Sequence, residues 1–398
     1  MSAGAGGRWL VAAALAVALA GCAASPARPW PEAEALFHQE PRWLGGDAAL
    51  SIDLGDGRRA WLFGDSFVSP EGSSGRLAAR MVRNTLAVQS GSDPRHAHME
   101  FAWGLAADGG PGDVFPAGDG QWFWPGGGFR RPGGPLVVFL FRMQATPGAG
   151  LGFATRGHAI AIIEDPDAPP SRWQPRVVDL AAAPFDAVPA LAVVIDGPHA
   201  VALAIRQSGR HAGALVRYCA ETLERGEDAD PEWWLGGALG WVRQSTLGGA
   251  TPAWVIDDAG AEASIHRDGR TGHYVHVASY GFGDTHIGVR TASALTGPWS
   301  PPALVYRPPE STAANPFVYA GKAHPGLAGL APGELAVTYV ANSFRFGDLL
   351  TPEGERALYW PRWVRIPRPP AAGQPPAQQA SIRHHPPETA TCAAAIPP

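Results

Sequence analysis

Short apolar runs without a helical period dominate this sequence. From Trp43 to about Ile366, β-branched or aromatic segments alternate with breaks at Gly, Pro and Asp, as strands and their turns do. The clearest runs are residues 48–54, 59–63, 136–141, 159–163, 191–196, 200–205, 274–279, 287–291 and 335–340. Hairpin turns are expected at Asp56-Gly57 and Asp268-Gly269. Only residues 231–235 and 353–358 could form a turn or two of helix. The pattern predicts an all-β protein.

Composition narrows the range of structures and partners. The 398 residues include 50 glycines and 40 prolines, which favour many turns, while 45% hydrophobic residues allow a large core and exclude a disordered chain. Fifteen tryptophans suit either core packing or stacking on sugars. The net charge of −5 argues against a nucleic-acid partner, because no basic surface is available to offset phosphate charge.

A weak repeat predicts how the strands are grouped. Sheets are expected to begin near Trp43, Gln121, Pro189, Glu262 and Phe317, about 69 residues apart, so a propeller would need long loops. A long all-β chain must protect its sheet edges, and radial repetition does so. We therefore predict a five-bladed β-propeller with long loops over residues 43–366, with a β-sandwich carrying insertions as the alternative. Residues 367–398 are rich in Pro, Ala, Gln and His and predict a disordered tail.

The first residues have the pattern of a targeting segment. Arg8 precedes an apolar run at residues 9–20, and residues 19–22 (Leu-Ala-Gly-Cys) resemble the bacterial lipobox. We predict a lipoprotein signal peptide at 1–22, acylation of Cys22 and a tether at 23–42. The protein would then be exported and held on a cell-envelope membrane by its acyl chains. A plain signal peptide with a chance cysteine is the alternative. Cys219 and Cys392 offer no disulfide framework or metal motif.

Two blocks carry a family resemblance. Residues 43–47, 51–57 and 61–67 resemble the opening blade of a bacterial propeller family catalogued as domain of unknown function 4185, some of whose members are endo-D-arabinanases. Residues 262–269, 273–279, 287–290 and 295–300 look like the fourth-blade layout of the five-bladed furanosidases in glycoside hydrolase families 43 and 62, to which that family is related in fold. The resemblance implies a glycoside hydrolase acting on furanose-containing, arabinan-like polysaccharide.

Three carboxylates are candidates for the catalytic groups, because glycoside hydrolysis needs one protonated and one ionised carboxyl group. Asp47 follows two glycines that would let a ligand approach the backbone, and Asp65 ends the next strand, which a hairpin would return to the same rim. Glu262 stands where the related furanosidases place their acid, although Ala261 and Ala263 replace its usual neighbours. Gly-Asp pairs are also ordinary turn formers.

Blade two has no carboxylate in residues 122–128, where the related enzymes place a pKa modulator. That departure favours paired aspartates in blade one, and the relatives imply an inverting mechanism.

A second group of residues is predicted to bind the sugar, on less specific signals. Trp122 and Trp124 alternate with Phe123 and so face one side of a strand, where stacking on sugar and core packing are both open. Asn84, beside Arg83, could bond hydroxyl groups or cap a turn. The resemblance adds four fifth-blade rim positions: Tyr319, Lys322, His324 and Asn342. A lone histidine such as His324 is more often structural.

No cofactor is expected. The histidines at 273, 276 and 286 lack the spacing of a zinc site, and an axial calcium occurs in relatives but is not indicated by this sequence. We expect a monomer whose partners are a polysaccharide and, through Cys22, a membrane. The alternative function is a non-catalytic carbohydrate-binding or scaffold propeller. A lyase or a phosphatase-like hydrolase is a third possibility, which the missing His/Asp metal set opposes.

Overall fold

Five antiparallel β-sheets, named A to E in chain order, contain most of the strands in the computed structural model, which describes residues 26–369 apart from 72–74, 148–151, 228–229 and 314. In order across the sheet, sheet A contains Leu50–Gly55, Arg58–Phe63, Thr85–Ser90 and His98–Ala102. Sheet B contains Gln121–Arg130, Leu136–Ala145, Phe153–Ile163 and Arg176–Asp179. Sheet D contains Ala263–Arg267, Tyr274–Tyr280, His286–Ala292 and Ala303–Tyr306.

The other two sheets depart from this simple pattern. Sheet C contains Ala187–Asp196, His199–Arg206, Gly213–Cys219, Glu232–Trp234 and Trp241–Arg243, and Trp254–Ile256 also pairs with its third strand. Sheet E contains Pro316–Ala323, Glu334–Ser343, Pro361–Pro367 and, from the start of the described chain, Arg28–Pro29. The all-β prediction is confirmed.

Smaller elements connect the sheets. A three-stranded sheet contains Trp43–Gly46, Ser66–Val68 and Arg80–Val82, and a two-stranded one contains Gly104–Leu105 and Pro111–Gly112. The α-helices are Gly75–Ala78, Ala220–Arg225 and Pro352–Ala357. The 3-10 helices are Pro31–His38, Pro170–Arg172, Gln244–Thr246, Pro309–Thr312 and Phe346–Leu350. No helix in the described part of the chain is long and apolar enough to cross a membrane.

The first strands of the five sheets surround one cavity. This cavity has a volume of about 400 Å³, and each first strand contributes to its lining, as Ile52, Gly128, Val194, Ile265 and Ala323 do. Glycine is required at Gly128, because a Cβ there would meet the backbone carbonyl oxygen of Val137 at 2.5 Å and the side chain of Ile52 at 2.6 Å. The sheets therefore meet along their first strands, which brings residues from distant parts of the sequence together around the cavity.

The predicted sheet starts agree well with four of the five sheets. Sheet B begins at Gln121, and sheets C, D and E begin at Ala187, Ala263 and Pro316, one or two residues from the predicted positions. Sheet A begins at Leu50 instead of Trp43. The reason is that Trp43–Gly46 pairs with Ser66–Val68 in the separate three-stranded sheet.

Two of the local predictions need correction. Asp56-Gly57 forms the expected tight turn, with φ of 50° and 71°, whereas Asp268-Gly269 opens a longer loop that ends at His273, whose carbonyl accepts the Asp268 N–H. Residues 353–358 fall largely in the helix Pro352–Ala357. Residues 231–235 instead contain the strand Glu232–Trp234, because the third strand of sheet C offers it an edge.

The predicted tether at 23–42 is wrong from Arg28 onward. Arg28–Pro29 pairs with the strand Pro361–Pro367 and completes sheet E. Trp30, Leu36 and Phe37 are fully buried, and the Phe37 ring stacks on Trp363 at a centroid distance of 5.6 Å. Burying such side chains outweighs the cost of ordering the segment.

The predicted signal peptide with Cys22, and the predicted tail beyond residue 369, lie outside the described residues. At the start of that tail, Pro367 still belongs to the last strand of sheet E. The backbone N–H of Arg368 donates to the carbonyl of Gly333 at 2.7 Å. The ordered body therefore extends slightly past the predicted boundary at Ile366.

Candidate active site

Asp47 and Asp65 are held side by side by the backbone. The N–H of Asp47 donates to the carbonyl of Asp65, and the N–H of Gly64 donates to the carbonyl of Asp47, both at 3.2 Å. Gly64 also makes room for the Asp47 side chain, because a Cβ on Gly64 would collide with Oδ1 of Asp47. The Gly-Asp pairs are therefore more than turn formers here: they bring two carboxyl groups to one place.

Asp47 is surrounded by groups that favour its protonated form. Burial, followed by the negative charges of Asp65 and Glu262, raises the pKa of Asp47 well above its usual value. Its Oδ2 accepts hydrogen bonds from the hydroxyl groups of Tyr319 at 2.8 Å and Tyr359 at 3.1 Å, which oppose that rise. Burial and the Asp47 charge raise the pKa of both tyrosines well above its usual value, so their hydroxyls remain donors. Asp47 thus keeps a proton at pH values where an ordinary aspartate is ionised.

Asp65 is bound by donors that favour its ionised form. Its Oδ1 accepts a hydrogen bond from Nε1 of Trp124 at 2.9 Å, and its Oδ2 pairs with the guanidinium of Arg83 at 3.1 Å. Burial raises the pKa of Asp65, and Arg83 and Trp124 oppose that rise. A fourth carboxylate, Asp113, accepts the backbone N–H of Arg83 at 2.7 Å, and its charge adds to the rise. Both of these hydrogen bonds to the Asp65 carboxylate come from side chains, so they do not tie it into a backbone turn.

Glu262 forms an ion pair with Lys322, which is almost fully buried at 1% exposure. Nζ of Lys322 also donates to the carbonyl of Ala48 at 2.7 Å and, more weakly, to that of Ala320 at 3.3 Å. The predicted role of Lys322 in binding substrate is therefore corrected, because three protein acceptors occupy its ammonium group. Burial lowers the pKa of Lys322, and the charge of Glu262 opposes that shift. Lys322 holds Glu262 and the Asp47 loop together from inside.

The backbone around these groups is strained. Six non-glycine residues in the described ranges have a left-handed φ, and four of them adjoin Asp47 or Lys322 in sequence or by hydrogen bonding: Ala48 at 64°, Ala49 at 50°, Ala320 at 61° and Tyr359 at 65°. Such conformations cost about 1–3 kcal/mol each and persist only where the surroundings enforce them. Their concentration around Asp47 and Lys322 is typical of a functional site.

Several predicted sugar-binding residues belong to the same site. Trp124 contacts Asp65 as described, and the ring centroid of Trp122 lies 6.0 Å from that of Trp124. The guanidinium of Arg83 lies 4.5 Å from the ring centroid of Trp122. Trp122 is 8% exposed, which favours packing over direct contact with sugar. Asn342 donates from Nδ2 to the Tyr319 hydroxyl at 3.3 Å and so extends the chain of bonds to Asp47.

Two predicted residues lie in the core, and their predicted roles are corrected. Asn84 is fully buried; its amide donates to the carbonyls of Phe115 and Phe123 and accepts the Phe115 N–H. His324 is also fully buried, with Nδ1 at 2.8 Å from the Ser51 hydroxyl and Nε2 at 2.7 Å from that of Thr338. Their polar atoms are satisfied inside the protein, and neither side chain reaches the surface.

Tyr359 and Asp113 are site residues that the sequence pattern does not indicate, and Arg83 enters the prediction only as a neighbour of Asn84. Tyr359 follows the helix Pro352–Ala357, far from either matched block. Nothing in the pattern there indicates a site, because only the fold brings Tyr359 to Asp47. Within the described ranges, no group of three or more His, Cys, Asp and Glu side chains is arranged to hold a metal ion.

Similarity to known proteins covers part of the sequence and most of the fold. Residues 32–188 match the family model described as Domain of unknown function (DUF5005). This segment includes Asp47, Asp65 and Trp124 but not Glu262. The resemblance to domain of unknown function 4185 stays a prediction. No curated protein matches the chain.

Solved structures resemble the whole body of the protein. One is a protein from Bacteroides ovatus ATCC 8483, described on a provisional basis as a hydrolase, with 15% identity, a TM-score of 0.65 and coverage of 85% of this chain and 90% of that one. The catalytic domain of a glycoside hydrolase family 62 α-L-arabinofuranosidase from Coprinopsis cinerea has 13% identity, a TM-score of 0.45 and coverage of 82% and 92%. An exo-1,5-α-L-arabinanase from a bovine ruminal metagenomic library has 10% identity, a TM-score of 0.42 and coverage of 82% and 94%. At these identities, the similarity to the Bacteroides ovatus protein shows a shared fold.

Proposed function

We propose that this protein is a glycoside hydrolase that cleaves furanose-containing, arabinan-like polysaccharide. The observation that carries the proposal is the pairing of two buried carboxyl groups: the pKa of Asp47 is raised well above its usual value, whereas Arg83 and Trp124 limit the rise in the pKa of Asp65. Two neighbouring carboxyl groups whose environments push their pKa values apart are what acid and base roles require. Glu262, the third carboxylate, adds negative charge that helps Asp47 keep its proton.

The proposed architecture is a five-bladed β-propeller with sheets A to E as its blades. Its support is that the first strand of each sheet lines the same cavity. Side-chain bonds join sheet E to sheet A, where the Ser51 hydroxyl lies 2.8 Å from His324 and Arg59 donates to the carbonyl of Pro325 at 2.6 Å. A radial arrangement of this kind brings residues far apart in sequence to one face, where the carboxylates lie.

The proposed mechanism inverts the anomeric centre. Asp47 donates its proton to the glycosidic oxygen as the bond from that oxygen to the anomeric carbon breaks. Asp65 takes a proton from a water molecule as the water oxygen bonds to the same carbon from the opposite face. Each turnover leaves Asp47 ionised and Asp65 protonated, and exchange with solvent restores both. Tyr319 and Tyr359 orient the Asp47 carboxyl through their bonds to Oδ2.

A non-catalytic carbohydrate-binding protein is the second candidate, and a specific observation favours it. Each of the three carboxylates already has a protein partner: tyrosines for Asp47, Trp124 and Arg83 for Asp65, and Lys322 for Glu262. Such a network could hold a rigid binding surface without chemistry. The two candidates differ in one measurable property, the release of new reducing ends from a polysaccharide.

The deciding experiment incubates the purified protein with a panel of arabinans and galactans and measures reducing ends. Asp47→Asn and Asp65→Asn serve as nearly isosteric controls, since each keeps the shape and removes the acid. We expect the wild type to release product from an arabinan and each variant to lose at least about 100-fold in turnover. Proton NMR of the first product should show the inverted anomer. Release from no polymer of the panel would favour the binding protein.

We further propose that the protein is exported and anchored through Cys22 in the cell envelope, where polysaccharide substrates occur. The support is the lipobox pattern at residues 19–22.

A further inference from the structure

Three phenylalanine rings form an exposed cluster at one edge of the protein. Phe282 lies in the loop between the second and third strands of sheet D, Phe317 in the first strand of sheet E, and Phe344 just after the second strand of sheet E. The ring centroids of Phe317 and Phe344 are 4.6 Å apart, and those of Phe282 lie 5.2 and 5.3 Å from them. Phe282 is 62% exposed and Phe344 is 55% exposed. We call these three residues the phenylalanine platform.

The phenylalanine platform is continuous with the candidate active site. The Phe317 ring stacks on Tyr319 at a centroid distance of 5.5 Å and an interplanar angle of 27°. The hydroxyl of that tyrosine donates to Asp47. Phe317 also pairs across the strands with Asn342, which bonds the same hydroxyl. A molecule lying on the rings would therefore reach the carboxylates without leaving the surface.

Exposed aromatic rings in contact with one another need an explanation, since water contact with apolar surface is unfavourable. Core packing does not supply it, because more than half of the surface of Phe282 and Phe344 is open. A protein or a membrane seated on the rings would lie across the approach to Asp47 and obstruct a polymeric substrate. The C–H faces of sugar rings offer flat apolar surface to aromatic rings. Sugar units of a bound polysaccharide would lie on the rings without obstructing the approach to Asp47.

We propose that the phenylalanine platform binds sugar units of the polysaccharide that lie beyond the bond being cleaved. This inference rests on the proposed function and adds to it a preference for polymer over short substrates. Phenylalanine has no hydroxyl group with which to read sugar hydroxyls, so the platform contributes affinity and tolerates variation in the sugar.

The test compares Phe282→Ala/Phe344→Ala with the wild type, using the full chain. Phe317 is left in place because its ring supports Tyr319. Binding to linear α-1,5-arabinan and to β-1,4-galactan is measured by affinity electrophoresis, and binding to arabinobiose by calorimetry. We expect about tenfold weaker binding to the polymer that the wild type prefers and unchanged binding to arabinobiose, as loss of two stacking contacts implies. Leu239→Ala is the matched control, since Leu239 is 63% exposed in a turn of sheet C.

The outcomes separate this inference from the proposed function. If the wild type binds a polymer through the two phenylalanines but releases no product, the platform stands and the hydrolase proposal fails. If the wild type hydrolyses polymer and the double variant binds and cleaves it equally well, the platform is refuted and the hydrolase proposal stands. Binding of neither polymer by the wild type also refutes the platform.

A membrane role is tested separately on vesicles of phosphatidylethanolamine and phosphatidylglycerol. The full chain carries Cys22→Ser, which removes the predicted acylation site, and flotation is compared with and without the two phenylalanine changes. We expect no flotation in either case. Flotation that requires the two phenylalanines would assign the surface to lipid and overturn the proposal.

Discussion

The hydroxyl group of Tyr319 donates to Oδ2 of Asp47 across 2.8 Å, although 272 positions separate the two residues in sequence. The bond joins the first strand of sheet E to the segment that precedes sheet A. Tyr359, also from the last part of the chain, donates to the same oxygen. The orientation of Asp47 therefore depends on the end of the chain being folded against its beginning.

Removing either hydroxyl should change both the rate and its pH dependence. Tyr319→Phe and Tyr359→Phe should each lower kcat about five- to tenfold, the effect of one lost hydrogen bond. Because these donors lower the pKa of Asp47, their loss should raise it further, and the alkaline limb of the kcat profile should move to higher pH. Tyr306→Phe, a change in sheet D, is the control. An unshifted limb in both variants would mean that Asp47 is not the acid.

Asp47→Asn should cost activity and increase stability. A carboxyl group whose folded pKa is raised favours the folded state only while protonated. Wild-type stability should therefore fall as the pH rises from the unfolded pKa of about 3.9 towards the folded value. The asparagine variant has no such dependence at this site, so its advantage should be larger at pH 8 than at pH 5. We expect a Tm gain on the order of 2 °C at pH 8, measured by calorimetry. A lower Tm at pH 8 would contradict this account.

Arg83→Gln should narrow the pH range of activity from the acidic side. Arg83 lowers the pKa of Asp65, so its removal should raise that pKa, and the base would then become protonated at a higher pH. The acidic limb of the kcat/KM profile should move upward while the alkaline limb stays in place. Arg95→Gln, which breaks an ion pair with Asp93 elsewhere, should leave both limbs unchanged. If Arg83→Gln moves neither limb, Asp65 is not the base.

Gly64→Ala should damage the site by shape alone. The added Cβ would collide with Oδ1 of Asp47 and displace the carboxyl group from its two tyrosine donors. We expect kcat to fall at least about tenfold, since small misplacements of reacting groups are costly, with the β-sheet circular dichroism spectrum retained. Gly237→Ala is the control, because a Cβ there meets nothing within 4 Å. Equal activity in the two variants would show that the position of Asp47 is unimportant.

Cys22→Ser should release the protein from membranes, because serine has no thiol to receive the diacylglyceryl group. Fractionation of cells that express the wild type and the variant, followed by immunoblotting, measures this directly. We expect the wild type in the membrane fraction and the variant in the soluble fraction or as uncleaved precursor. A variant that stays with membranes as the wild type does would rule out the lipobox.

The sequence predicted the sheets, and the closeness of Asp47 to Asp65, better than it predicted side-chain contacts. Gln121 and Glu262 lie at or beside the first residues of sheets B and D. These starts could be predicted because turn residues interrupt the apolar runs there, which is a signal local in sequence. Asp47 and Asp65 lie together because the matched block is nearly continuous in sequence. Side chains whose role depends on distant partners were misjudged: the surroundings of Asn84 come from two other segments.

The burial of Lys322 and of the N-terminal segment could not be predicted for the same reason: it depends on partners that are distant in sequence. The family resemblance implies a rim position for Lys322, but acceptors on Ala48, on Glu262 and in its own strand hold its ammonium group inside the protein. Trp30 and Phe37 lie in a Pro-rich segment that reads as a linker, but they pack on sheets A and E, where Phe37 meets both Trp61 and Trp363. Long-range burial of this kind leaves no local pattern.

The pairing of Arg28–Pro29 with the last strand of sheet E limits how far the protein could stand from its predicted anchor. Arg28 lies six positions after Cys22, and an extended chain covers at most about 3.6 Å per position, so the connecting segment spans no more than ~22 Å. If Cys22 is acylated, the body is held within that distance of the lipid headgroups, and sheet E is the nearest part of it. An enzyme with so short a connecting segment would act on polymers at the membrane surface and would not reach across a thick envelope layer.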